Sequence, residues 1–452
     1  MLLGGSGLRR SIHLRQEENM KRRGFFLGGA LGVATLGVLL AGPAYGAGFS
    51  IFEQGAKAMG MAGAFTAQAD DPSMLFHNAG GLAFVTESQG SLGFTWIYGA
   101  EAELEGANPF PGEGYRADQE NLSEFPPHAY WVAPINQTWK WGLGLMTPFG
   151  LTTEWENPEQ FAGRFLSTKA ALRAIDVNPT LGWQVTPNFG IGFGAVVRIS
   201  DVELNRFVPA VNPFNQQVVS VGRLNLEGDF SEGYGFNAGI LHKVNNSFSW
   251  GLSYRSKIEV EYSGDARLTQ VPSGNAQFDA VIATRLPFNT NLPVETKIEF
   301  PDQASLGLAF ALSPNLLLGT DFNWTGWSSF GDVPIDFTGG ATNSLPDTSL
   351  PQGWDDANNY RAGLRWTVSP TTQWRFGYVF DETPQPEVGV SPLLPDADRN
   401  GFTVGLGWNK LDLAVMYLPF DERTRDESRP GEGPFFGTYN TTAWLFSASY
   451  NF

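Results

Sequence analysis

The chain has 452 residues, 54 glycines, no cysteine, 13% aromatic residues and a formal charge of −17. The lack of cysteine excludes disulfides, thiol catalysis and zinc–thiolate centres, and the acidity argues against nucleic acid as a partner. So many glycines and aromatics suit short regular strands better than helices.

At the N-terminus Lys21, Arg22 and Arg23 precede an apolar run from Phe25 to Leu40, followed by Ala44-Tyr45-Gly46. That order is a secretory signal: it predicts loss of residues 1–46 and a mature start at Ala47, with Met20 as an alternative start codon. The competing reading, a membrane anchor, requires a longer apolar run. Removing the six Lys/Arg and two Asp/Glu of this segment leaves 23 basic and 44 acidic residues, or −21.

Residues 47–87 are rich in Gly, Ala and Met and lack a period of two, with a broken small-residue helix predicted over Gln54–Ala67. They form a domain apart from 88–452, where alternating faces recur to the end. Leu92, Phe94, Trp96 and Tyr98 share a face, as do Trp139, Trp141, Leu143 and Leu145; Ile191, Phe193, Ala195 and Val197; Leu306, Leu308, Phe310 and Leu312; Trp374, Phe376, Tyr378 and Phe380; and Phe402, Val404, Leu406 and Trp408. Phe248 to Tyr254, then Ile258, Val260 and Tyr262, are read as one such face. Opposite faces carry Gly142, Gly144, Gly190, Gly192, Arg198, Arg255, Arg361, Arg365 and Arg375. Apolar outside with small or basic residues inside is the arrangement of a membrane barrel.

Short connections such as Thr186-Pro187-Asn188 and Ser313-Pro314-Asn315 alternate with long ones near 99–125, 147–169, 205–222, 265–292, 332–357, 382–400 and 420–440. Periplasmic turns and extracellular loops alternate in this way, and the count between them is 14 strands. The last segment, Thr441–Phe452, puts Thr442, Trp444, Phe446, Ala448, Tyr450 and Phe452 on one side. Such an aromatic edge is predicted to close against the first strand with lipid outside. The fold class is therefore an all-β membrane protein: a 14-stranded antiparallel transmembrane β-barrel with residues 47–87 as a small hatch in its lumen. The localisation is the outer membrane of a Gram-negative bacterium.

Several stretches, in order, resemble the FadL/TodX family of outer-membrane transporters for long-chain fatty acids and aromatic hydrocarbons. Ala47-Gly48-Phe49, Glu53-Gln54, Ala62-Gly63-Ala64, Ala69-Asp70-Asp71 and Phe76-His77-Asn78 are similar to the family hatch. Further on stand Pro148-Phe149-Gly150, Gly163-Arg164-Phe165, Asn178-Pro179, Gly251-Leu252-Ser253-Tyr254-Arg255-Ser256, Asp321-Phe322-Asn323-Trp324-Thr325-Gly326-Trp327-Ser328, Asp381-Glu382-Thr383-Pro384 and Leu394-Pro395-Asp396-Ala397-Asp398-Arg399. Where the family hatch carries Asn-Pro-Ala, this chain reads Asn78-Ala79-Gly80. The resemblance implies passive uptake of hydrophobic compounds: capture at external loops, transfer to a hatch pocket, and lateral release at an inward kink of the third strand. Gly142 and Gly144 are the positions at which that kink is expected.

Each candidate residue has two readings. Phe49, Phe52, Met59, Met61, Phe65, Phe76 and Asn78 either line a ligand pocket or form the packed core of the hatch. Phe110, Phe125, Phe149, Leu151, Phe161 and Phe165 either make an external capture surface or pack loops against one another. Arg361, Arg365, Arg375 and Lys57 either meet a fatty carboxylate or sit in lumen ion pairs, the reading favoured for buried charge. Nothing in the sequence sets a serine against His77, His128 or His242, so neither catalysis nor metal binding is expected, and no cofactor. Gly190-Ile191-Gly192-Phe193-Gly194 alternates glycine with apolar residues, as a strand and not a phosphate loop does. Expected partners are hydrophobic small molecules, outer-membrane lipids and the barrel-assembly machinery, with the protein a monomer. A neutral-hydrocarbon channel of the same family and a hydrophilic porin are the alternatives.

Overall fold

The computed structural model describes residues 48–121, 123–338, 345–429 and 432–452; the signal assigned to 1–46 lies outside them. Fourteen strands form the wall: β1 (Gln89–Tyr98), β2 (Pro127–Pro134), β3 (Trp139–Glu154), β4 (Lys169–Thr186), β5 (Phe189–Val211), β6 (Val218–Asn245), β7 (Phe248–Arg255), β8 (Gln303–Ser313), β9 (Leu316–Thr325), β10 (Ala357–Ser369), β11 (Thr372–Asp381), β12 (Arg399–Trp408), β13 (Leu411–Pro419) and β14 (Gly437–Asn451). Each pairs antiparallel with the next, and β14 pairs with β1 from Ser91↔Asn451 to Tyr98↔Trp444. Phe452 completes the seam by exchanging backbone bonds with Gly90 (2.8 and 2.9 Å). This seam closes the barrel.

The outward faces follow the sequence pattern. Leu92, Phe94, Trp139, Trp141, Phe193, Leu252, Leu306, Trp374, Phe376, Phe402, Val404, Trp444 and Tyr450 are exposed, as a lipid-facing surface requires. The long connections are more regular than expected. β3 continues through Phe149 and Leu151, and β5 and β6 cover most of 205–222 as a tall hairpin. At about 3.3 Å per residue, strands of 23 and 28 residues greatly exceed a hydrocarbon core of about 30 Å, so their ends rise above it.

Ile258, Val260 and Tyr262 correct the reading of one continuous face. The chain breaks from the wall at Ser256-Lys257, and Ile258–Gln270 forms an arm paired with Asn291–Phe300 and with the Gly222–Gly228 part of β6. The break reverses the phase of alternation, so the three side chains are buried rather than turned to lipid.

Residues 48–87 pack against the inner wall in short turns, Ala56–Met59, Met74–His77 and Ala79–Phe84. Inward glycines allow that approach: a Cβ on Gly192 would meet the Ala79 carbonyl oxygen at 2.0 Å, and one on Gly251 the Thr66 oxygen at 2.4 Å. Polar wall groups hold the segment. Asp321 Oδ2 accepts from the Phe65 and Thr66 amides (3.0 and 2.9 Å), Ser449 Oγ accepts from Ala56 N (3.0 Å), and Tyr130 and Thr403 donate to the Gln54 and Gly60 carbonyls (2.8 and 3.1 Å).

Candidate functional site

Proline chemistry breaks the wall between β2 and β3. β2 starts at Pro127, after Pro126, and its pairing with β3 stops at Ala129↔Leu145. On β3 the register against β4 shifts between Met146 and Phe149, across Thr147-Pro148. Pro148 has no N–H to give a ladder, so the strand bulges and its edge comes free of β2. Gly142 and Gly144 lie in regularly paired β3 before the bulge; Gly142 instead leaves room for the hatch residue Leu75. The shift falls at the residue that removes a donor, not at the flexible ones.

The N-terminal segment covers the freed edge. Ile51 N donates to Pro148 O (2.8 Å), Gly150 N donates to Phe49 O (3.0 Å), and Ser50 bridges Phe149. Gln54 fills the remaining gap with its side chain, donating to Thr147 O (2.6 Å) and accepting from Thr147 N (3.1 Å). The hatch thus supplies a short stretch of strand where the wall lacks one.

Phe49, 1% exposed, plugs into an aromatic cluster, with Trp327, Phe330, Trp354, Phe149 and Phe300 ring centroids at 4.7, 5.1, 5.7, 5.9 and 6.1 Å. One side of its ring lines an apolar cleft with about 870 Å³ unfilled by protein atoms and open to the exterior; Leu151, Leu172, Tyr262, Ile298, Phe330 and Leu394 also line it. Three residues on, Phe52 meets Phe76 edge to face (6.2 Å), and both line a second, small polar pocket with His77, Arg255, Gln303 and Ser305. Burial drives the His77 imidazole pKa down to about 3, aided by the Arg361 and Arg255 charges, so it is neutral.

The structure therefore brings Phe49, Phe52, Phe76, Phe149 and Leu151 to or beside cavities. Met59 and Met61 pack on the β10–β14 side of the wall, against the Ile51–Met416 cluster and Gly363. Phe65 is buried against His77 (5.4 Å). Asn78 uses both ends of its amide, donating to Thr66 O and Ile240 O (2.8 and 2.9 Å) and accepting from Gly80 N (2.9 Å). Phe161 stacks on Trp155 (4.4 Å) among Phe435 and Tyr439, loop against loop. Phe165 is half-buried under Arg164, whereas Phe110 and Phe125 are exposed.

The basic candidates are engaged within the protein. Asp70 takes both Lys57 (2.8 Å) and Arg365 (2.6 Å), whose charges outweigh burial and hold its carboxyl far below the usual range. Arg375 pairs with Asp412 (2.5 Å). Arg361 donates to Ala62 O (2.8 Å) and Asn359 Oδ1 (2.9 Å) and lies 4.4 Å from the Phe52 ring centroid. One contact overturns the expectation that no serine meets a histidine: His128 Nε2 and Ser449 Oγ are 2.9 Å apart, both buried. Ser449 Oγ also accepts the Ala56 amide, so the His128–Ser449 pair forms a clasp on the hatch. Sequence reasoning missed the roles of Gln54, Pro148 and Arg255; of these, proline within a strand was the usable signal.

Comparison with known proteins agrees with this architecture. The family model "Outer membrane protein transport protein (OMPP1/FadL/TodX)" matches residues 37–452. A long-chain fatty acid transport protein of Escherichia coli O6:H1 is 25% identical over 96% of this chain and 100% of its own. A Pseudomonas aeruginosa FadL homologue superposes with a TM-score of 0.76 at 21% identity, covering 90% of this chain and 99% of that one. The Ralstonia pickettii toluene transporter TbuX gives 0.65 at 16%, covering 89% and 100%. The closed 14-stranded barrel, the strand break covered from inside and the family match make this chain a member of the OMPP1/FadL/TodX family of outer-membrane transport proteins.

Proposed function

We propose that the protein carries hydrophobic compounds, long-chain fatty acids first among them, passively from the cell exterior into the outer membrane. The observation that carries this reading is the alignment of three features: an apolar external cleft, a lumen occupied by residues 48–87, and a break in the wall covered by that same segment. A greasy ligand gains about 25 cal/mol for each Å² of apolar surface it buries in such a cleft. It is then passed under Phe49 and leaves sideways between β2 and β3 instead of crossing a watery periplasm. A downhill gradient suffices as driving force. In this reading residues 1–46 are a removed export signal, 47–87 the hatch and 88–452 the transporting barrel. The protein works as a monomer inserted by the barrel-assembly machinery, without catalysis.

A neutral aromatic hydrocarbon is the second ligand class, favoured by a cleft lined mainly by Leu, Ile, Val, Phe and Tyr, with Glu203, Glu227, Thr296 and Gln352 among its polar members. A hydrophilic porin is disfavoured because the hatch occupies the lumen. Equilibrium binding of radiolabelled palmitate and of toluene to the purified protein tests the proposal: saturable binding of at least one is expected. If neither binds and proteoliposomes instead swell in sugars, the proposal is wrong.

A further inference from the structure

We infer that the apex of the β5–β6 hairpin is an interfacial docking tip, which inserts into the surface of an anionic lipid aggregate outside the cell, a micelle or vesicle of fatty carboxylates. The inference rests on the proposed carriage for its purpose and extends it to the step at which poorly soluble compounds are met in bulk.

β7 ends at Arg255, level with Asn237 of β6 and Gly194 of β5, yet β5 and β6 run on to a last ladder pair at Val211↔Val218. Those two valines are each 56% exposed, and Phe214 in the turn between them is 59% exposed. The hairpin behind them is supported: Val208, Ala210, Val219 and Val221 pack with Phe278 and Ile282 of the helix Ala276–Ala283. The exposed side chains are thus a spike on a packed hairpin. Its turn also satisfies its own polar groups. Asn212 N donates to Gln217 O and Gln216 N to Asn212 O (both 2.8 Å), Asn212 Oδ1 accepts from Phe214 N (3.0 Å), and Asn215 Oδ1 accepts from Gln217 N (3.1 Å). Entry into an apolar phase therefore strips water from few unpaired groups.

Charge selects the kind of surface. From Phe207 to Gly222 no residue is ionisable, in a chain of −17. At the base of this neutral stretch stand half-buried Arg206 and exposed Arg223, on adjacent strands, with Phe207 paired to Arg223 and Arg206 to Leu224. Arg164 joins them by donating from Nε to Ser220 Oγ (3.0 Å). None of the three pairs with a carboxylate among the described residues. An apolar tip above an arginine collar suits an anionic interface: the side chains enter the acyl region while the cations meet the head groups. The apex also leads to the cleft. Val208, Leu286 and Phe288 pack both in the cluster beneath the tip and in the neighbouring one, whose Leu226, Val294 and Ile335 line the cleft.

The chain lacks cysteine, so Gln217→Cys offers a single position for an environment-sensitive dye. With the protein in phosphatidylcholine nanodiscs, phosphatidylcholine vesicles containing oleate are added at pH 9, with oleate-free vesicles as the comparison. The dye is expected to shift to the blue, to be quenched by spin-labelled acyl chains in the vesicles, and to float with them. Phe214→Ser should weaken vesicle binding about 10- to 100-fold, the worth of one buried aromatic side chain. Arg206→Gln with Arg223→Gln should remove most of the preference for oleate vesicles, about fivefold per arginine. Both variants should bind monomeric palmitate as wild type does. Docking is refuted if the dye stays in water, if Phe214→Ser binds vesicles undiminished, or if the dye is buried before vesicles are added, which would place the tip on the disc itself. An equal loss of palmitate binding in Phe214→Ser would assign the effect to the cleft and refute it too, and an undiminished oleate preference in the arginine variant refutes the anionic partner. If the tip docks as described but neither palmitate nor toluene binds, carriage fails and docking stands.

Discussion

Phe49→Ala is the most direct test of how the hatch is held over the strand break. The ring has five aromatic neighbours at 4.7–6.1 Å and is 1% exposed. Truncating such a phenylalanine costs about 3–5 kcal/mol. The loss falls on the docked segment, because an undocked ring stands in solvent whether or not it is truncated. Two main-chain bonds report docking, Ile51 N to Pro148 O and Gly150 N to Phe49 O. At 1.4 kcal/mol per decade, the population with these bonds open should rise by roughly 10²- to 4 × 10³-fold. Hydrogen exchange at the Ile51 and Gly150 amides measures this, with the β8–β9 ladder around Ser305↔Asn323 as an internal reference. Exchange faster by less than about tenfold at both amides, with the reference ladder unchanged, would refute the claim that the aromatic cluster holds the segment.

Deleting residues 48–76 should turn a closed barrel into one with measurable single-channel conductance in planar bilayers; an unchanged current would sink the assignment of this segment as the obstruction. His77 should make hatch docking acid-sensitive. Burial lowers its docked pKa from 6.5 to about 3, so below pH 6.5 the unfolded chain takes up a proton that the docked state refuses, and stability is lost as pH falls toward the docked value. Thermal denaturation should therefore show a Tm that drops between pH 7 and about 4 in wild type and drops less in His77→Gln; equal drops in both would contradict the linkage.

The wall was legible in the sequence because each strand obeys a local rule, a period of two, that does not depend on its partners. The reading failed where a local rule had to be carried past an interruption. Ile258, Val260 and Tyr262 have the same parity as Trp250 and Leu252, and only the break at Ser256-Lys257 puts them on the opposite face. The basic residues were ambiguous for another reason. Arg255, Arg361, Arg365 and Arg375 all alternate inward, and what separates them is the partner each meets across the lumen. Asp70 lies 295 residues from Arg365, a distance no periodicity spans. Asn78 kept its place in the hatch without the adjacent proline of the family pattern because its amide makes three hydrogen bonds of its own.

The hatch does more than fill the lumen. Beyond the β3 bulge, Thr147 N–H and C=O, Pro148 C=O and Gly150 N–H have no partner on β2; Gln54, Ile51 and Phe49 satisfy all four. Left bare to hydrocarbon, each such group costs several kcal/mol. A lateral gate made by simply withdrawing the hatch would carry that cost four times over, more than the binding of one ligand returns. Sideways release therefore requires that most of these bonds survive, so the part that moves is the neighbouring side-chain packing of Phe52 and Phe76 and not the Phe49–Ile51 backbone. Under the proposed sideways release, the moving parts lie between the polar pocket and the bulge, and the short hatch strand is the fixed frame.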